Sequence, residues 1–124
     1  WFHKPNIRAV VIENGVKSVG NTAFAGCTDI ESVSLPESMT DIGYSSFSGC
    51  TSLRKITIPG SVTRIDENAF YQCTSITDVY LEGTDYQYYY FDGSGSKDDF
   101  NKPSGTVLHV PKSVKPAALT PKTG

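Results

Sequence analysis

Nothing in the 124 residues approaches the run of about 20 apolar residues that a membrane helix needs, so no bilayer insertion is expected of this segment. Charge of one sign is lacking too: 11 Lys and Arg stand against 13 Asp and Glu, a formal net charge of −2. That balance gives no electrostatic reason to expect nucleic acid or an acidic membrane surface as partner. There is no initiator Met and no signal-peptide pattern; the chain starts at Trp1 and reads as an excised or processed piece, with any export signal upstream. Histidine occurs only at His3 and His109, which leaves little material for imidazole chemistry. Cysteine is scarce and odd in number, and three residues cannot close a disulfide framework among themselves.

What is present is periodicity. Cys27, Cys50 and Cys73 are separated by 23 residues, twice over. Three ungapped units follow in that register, IENGVKSVGNTAFAGCTDIESVS from Ile12, LPESMTDIGYSSFSGCTSLRKIT from Leu35 and IPGSVTRIDENAFYQCTSITDVY from Ile58. Phe24, Phe47 and Phe70 share a column. So do Ile30, Leu53 and Ile76; Val33, Ile56 and Val79; and Ile12, Leu35, Ile58 and Leu81. Val16, Met39 and Val62 make another, and Val19, Ile42 and Ile65 a seventh. A unit of this size cannot bury its own apolar face, so copies must stack and each column becomes a ladder through a shared core.

The spacing Leu53, Ile56, Ile58 is the strand segment of a leucine-rich repeat. Apolar and polar residues alternate within it, which turns one set inward and the other outward. The A-F-x-G-C stretch, with close-set apolar positions and a Gly, predicts a short helical turn on the opposite wall. Pro36 and Pro59 follow their strands and end the ladder, because proline supplies no N–H. The expected fold is an α/β-type repeat solenoid, with short strands on one face and short helical turns on the other.

The pattern runs past the three copies. Ile7, Val10 and Ile12 repeat the strand spacing, so residues 1–11 read as the end of a truncated upstream repeat, and 12–80 as the three full repeats. LHVPKSV from Leu108 matches ITIPGSV from Ile56, but Val79 to Leu108 spans 29 residues, so about six have been added. Residues 81–114 thus form an atypical C-terminal capping repeat with a Tyr-rich insertion. Either its Tyr86, Tyr88, Tyr90 and Phe91 cover the last rung or the Tyr-rich stretch serves as a recognition loop, two compatible roles. Residues 115–124 are expected to be a flexible tail. Its closing Pro121-Lys122-Thr123-Gly124 matches the core of a sortase sorting signal or is a chance tetrapeptide; Thr120 stands where the common signal has Leu.

With these columns in view, the units resemble the BspA-type leucine-rich repeats of bacterial and some protist surface proteins. That pattern, IGxxAFxGCxxLxxIxIPxSV, is closely matched here by IGYSSFSGCTSLRKITIPGSV, and TVLHVPKSV resembles its closing segment. The resemblance covers about Ile7 to Val114 and departs in the Tyr-rich stretch. It implies a right-handed solenoid on an extracellular protein used in attachment, and it carries no catalytic residues.

Catalytic and metal chemistry find little support. Cysteines in a column beside three phenylalanines should be buried and inert, and no fourth ligand recurs beside them for a soft metal. No serine lies in a nucleophile-elbow motif. The run from Asp92 to Asp99 does not make a calcium loop, because Lys97 stands where that loop needs Gly and Pro103 where it needs Glu. No enzyme activity, cofactor or metal is expected.

The outward strand positions form two columns, Ala9, Ser32, Lys55, Asp78 and Val107, then Val11, Ser34, Thr57, Tyr80 and His109. Lys55 and Asp78, on adjacent rungs, can pair. The first rungs carry small residues, while charge and aromatics gather at Lys55, Thr57, Asp78, Tyr80 and His109, next to Tyr86, Tyr88, Tyr89 and Tyr90. Aromatic clusters dominate binding energy, so this end is the candidate ligand-binding surface, against the alternative of an ordinary solvated sheet. The expected function is an adhesion module on a bacterial cell surface, extracellular and monomeric, binding a host or neighbouring-cell surface protein or glycan. The alternative is a passive spacer that projects another domain from the cell wall.

Overall fold

The computed structural model describes residues 7–84 and 107–111. Every strand is short, because each rung lends only a few residues to a wall before the chain turns. One wall is a five-stranded parallel sheet of β1 (Ala9–Val11), β3 (Ser32–Ser34), β5 (Lys55–Ile58), β7 (Asp78–Leu81) and β8 (Val107–His109), adjacent in that order. The second is a three-stranded parallel sheet of β2 (Ser18–Val19), β4 (Asp41–Ile42) and β6 (Arg64–Ile65).

The ladder register is the sequence period. Ala9 pairs with Ser32, Ser32 with Lys55 and Lys55 with Asp78, each 23 residues on. The last step absorbs the insertion, with Asp78 opposite Val107, Val79 opposite Leu108 and Tyr80 opposite His109. In β5 the residues alternate exposed and buried, so Ile56 and Ile58 face inward while Lys55 and Thr57 face out.

The inward ladders make one core. Ile30, Met39, Ile42, Leu53, Ile56, Ile58, Ile65, Ile76 and Val79 are all sealed from solvent. Phe47 and Phe70 are fully buried and stack face to face along the solenoid, with Phe24–Phe47 centroids 5.4 Å apart and Phe47–Phe70 centroids 5.5 Å apart. Phe24 itself is half-buried, and Val16, at the head of its column, is exposed. Both lie in the first full rung, which has no described residue before it in either column.

The three cysteines are free and buried, and they also serve the wall between rungs. Each of the later two donates its S–H to the carbonyl of the phenylalanine one rung back, Cys50 to Phe24 at 3.4 Å and Cys73 to Phe47 at 3.1 Å. Burial, helped by the thiol of the preceding rung, raises the Cys50 pKa to about 12 and pushes Cys73 up as well.

The helical turns expected around A-F-x-G-C do not form; among the described residues there is no helix. The reason is where the amides go. Ala23, Ala25 and Cys27 donate locally, to Gly20, Thr22 and Phe24, while Thr22, Phe24 and Gly26 donate to Tyr44, Ser46 and Ser48 of the next rung. The second rung repeats the alternation, with Ser45, Phe47 and Gly49 reaching Glu67, Ala69 and Tyr71. An α-helix needs successive amides to bond within the segment, so a wall that sends every second one outward cannot be helical. Two left-handed positions per rung fix this path, one at Thr22, Ser45 and Asn68 and one at Gly26, Gly49 and Gln72. Gly43 answers a tight approach: a Cβ there would lie 2.6 Å from the Val19 carbonyl and 2.7 Å from Asn21 Oδ1, the atom that accepts from the Tyr44 amide.

Candidate functional site

The outer face of the five-stranded sheet changes character along the solenoid. Ala9 pairs with Ser32 and Val11 with Ser34, four small or medium side chains with no ionisable group. The next rungs bring Lys55 beside Asp78 beside Val107, and Thr57 beside Tyr80 beside His109. The parallel register alone gathers these five candidate residues onto one surface, although 54 positions separate Lys55 from His109.

Their contacts differ from the expected pattern in one respect. Asp78 turns toward the last strand instead of toward Lys55. Its Oδ1 accepts from His109 Nε2 at 2.9 Å, and its Oδ2 accepts from the Thr77 hydroxyl at 2.8 Å. The hydrogen bond with His109 holds the Asp78 carboxyl below its ordinary pKa, the Thr77 hydroxyl adds to this, and the charges of His109 and Lys55 act in the same direction against partial desolvation. Lys55 thus acts on Asp78 through its charge. The other ring contact is a stack: Tyr80 and His109 lie 4.2 Å apart between centroids and within 11° of parallel. His109 is therefore held in its plane by Tyr80 and at its edge by Asp78, so three side chains from two strands form one unit.

Beside this unit lies an open depression of about 430 Å³, lined by Thr57, Tyr80, Leu81, Glu82, His109, Val110 and Pro111. Thr57, Tyr80 and His109 are among the residues expected from the sequence. Leu81, Glu82, Val110 and Pro111 are not, and Glu82 had a signal that could have found it: its column carries Pro36 and Pro59 before it and Pro111 after it. The other expected residues, Tyr86, Tyr88, Tyr89 and Tyr90, lie outside the described residues, as does the Pro121–Gly124 motif.

An imidazole oriented by a carboxylate is part of a nucleophilic triad. Here, among the described residues, no hydroxyl or thiol hydrogen-bonds the His109 ring, and no group of three or more His, Cys, Asp or Glu is placed to hold a metal. No helix among the described residues is long and apolar enough to cross a membrane. The arrangement can stack, accept and donate hydrogen bonds, and present a carboxylate.

A stacked parallel ladder with a 23-residue rung, a Phe spine and a Cys column can be compared with known repeat families. Residues 1–113 match the family described as the BspA type leucine rich repeat region. The chain belongs to that family. Solved structures agree on the fold. A leucine-rich repeat protein from Bacteroides capillosus is 38% identical, with a TM-score of 0.58 over 63% of this chain and 56% of its own. The leucine-rich repeat protein of T. pallidum is 27% identical, with a TM-score of 0.55 over 82% of this chain and 51% of its own. A leucine-rich cell surface protein from Faecalibacterium prausnitzii is 18% identical, with a TM-score of 0.65 over 94% of this chain and 35% of its own. The BspA-type chain described here thus spans between a third and three-fifths of the length of these structures. No curated protein matches it.

Proposed function

We propose that this BspA-type solenoid is an extracellular binding module of a bacterial cell surface, and that it engages a protein or glycan of a host or neighbouring cell with the C-terminal half of its strand face. The observation that carries the reading is the Asp78–His109–Tyr80 unit beside an open depression. Leucine-rich repeats generally serve as interaction modules, and repeats of the BspA type belong typically to surface proteins. Preorganised aromatic and charged groups are the kind of surface on which binding energy concentrates, because little side-chain entropy is left to lose. Asp78 and Tyr80 hold His109 in place before any partner arrives. On this reading the side chains of the Tyr-rich insertion add contact area for the partner, and Pro121–Gly124 would tether the solenoid to the cell wall with its earlier repeats projecting outward.

A second reading, a passive spacer, draws on the small side chains of the first rungs, Ala9, Val11, Ser32 and Ser34. One experiment separates the two. The chain is presented to immobilised extracellular-matrix proteins and to a glycan array. Saturable attachment to at least one of them is expected. A blank result on both sets would leave the spacer.

A further inference from the structure

Two departures from the repeat coincide on β7. Tyr80 stands in a column that reads Val11, Ser34 and Thr57 in the rungs before it, and Glu82 stands where the neighbouring rungs have Pro59 and Pro111. The Glu82 amide still donates to Ile58 at 3.0 Å, so the strand geometry runs to this residue. Positions two apart on a strand share a face, which sets the Glu82 side chain on the same side of the rung as the Tyr80 ring. Both line the depression.

Among the described residues, the Tyr80 ring is a platform with one side taken. His109 stacks on one face. On the other side its ladder neighbour is Thr57, a side chain too small to cover a phenol ring across a strand spacing of about 4.8 Å. Among the described residues, the lining holds one carboxylate, Glu82, and neither Lys nor Arg. The Asp78 carboxylate nearby is already bonded to His109 and Thr77. Val110 and Pro111 provide an apolar margin.

We propose that this depression receives an arginine side chain of a partner protein, its guanidinium stacked on the free face of Tyr80 and forked onto the Glu82 carboxylate. This rests on the reading of this face as the binding surface and names the chemistry of the partner. A guanidinium is planar, so it extends the His109–Tyr80 stack by one layer, and it is weakly hydrated, so it enters with little desolvation cost. Its paired N–H groups match a carboxylate edge. Lysine offers a strongly hydrated point charge with no plane to stack. An anionic group would meet Glu82 with no cation among the described lining residues to offset it. A neutral sugar could use the ring and would leave the carboxylate charge uncompensated.

The test uses the whole chain and a capped glycyl-arginyl-glycine peptide, followed through the ring resonances of Tyr80 and His109 at low salt. Saturable shifts at both rings are expected. Glu82→Gln should weaken them about tenfold and the matching lysine peptide should bind at least about fivefold more weakly. Tyr80→Leu should abolish binding of the arginine peptide. Equal response to the two peptides, indifference to Glu82→Gln, or no saturable shift with the arginine peptide would each overturn the assignment. If the arginine peptide fails while a neutral methyl glycoside shifts the same rings, the binding face survives and the arginine does not. If neither probe binds and the matrix and glycan screen is blank, both readings fall together.

Discussion

The Ser46 hydroxyl is fully buried and has no hydrogen-bond partner among the described residues, in a column that carries Ala23 one rung before and Ala69 one rung after. A buried polar group left unpaired costs about 1–3 kcal/mol, and removing it avoids that cost while leaving only a small void. Ser46→Ala should therefore stabilise the fold by about 1 kcal/mol, read as a raised urea midpoint at unchanged m-value; a lowered midpoint would mean that the hydroxyl is bonded in solution. The thiols make a prediction in pH. Cys50 and Cys73 have folded pKa values raised above the ordinary 9.0, to about 12 for Cys50, because burial penalises the thiolate. The unfolded chain loses these protons first as pH rises, so the stability they contribute is whole below pH 9 and is lost between 9 and about 12. A Cys50→Ala/Cys73→Ala variant should show a shallower fall of the melting temperature across that window, and a native protein that is labelled at once by a bulky thiol reagent would contradict the buried column. The inward identity of the cysteines was legible in the sequence, since a fixed 23-residue period admits one face per column. The Asp78–His109 bond was not, because Lys55 and Val107 both flank Asp78 in the ladder and only side-chain geometry decides which way the carboxylate turns.

At the scale of elements, the stability of a rung depends on its neighbours. Phe47 is the middle ring of the stacked column, with Phe24 on one side and Phe70 on the other. Phe47→Ala should cost about 3–5 kcal/mol, because it removes a buried ring and opens a cavity that backbone bonded on both sides cannot collapse to fill. A denaturant melt with a loss below about 1 kcal/mol would place that ring at the surface. The strands were readable from the alternation in Lys55–Ile58 and its counterparts, because in a parallel ladder the repeat period is itself the register. The opposite wall was misread as helical for a physical reason. Spaced apolar residues ending in Gly fit one turn of helix and a chain of single turns equally well, and only the bonds from Thr22, Phe24 and Gly26 to the next rung separate the two. The strands β2, β4 and β6 went unread because two residues carry too little alternation, though the column Val19, Ile42, Ile65 of β-branched residues was the available signal.

Over the whole molecule, a periodic core supports a graded surface. The same inward columns run through every full rung, although the first leaves Val16 exposed and Phe24 half-buried, while the outer face goes from Ala9, Ser32, Val11 and Ser34 to Asp78, Tyr80 and His109. The repeat needs the first pattern to stack and places no demand on the second, which leaves outward positions free to specialise rung by rung. If specialisation means binding, its energy belongs to the last rungs. The direct test takes a partner captured from the matrix and glycan screen and compares two substitutions on the same face. Tyr80→Ala should weaken binding by more than about 1 kcal/mol, roughly fivefold or more, whereas Ser32→Ala, two rungs away, should leave it within error. Equal effects at the two positions, or a larger one at Ser32, would contradict a binding surface localised to the C-terminal half.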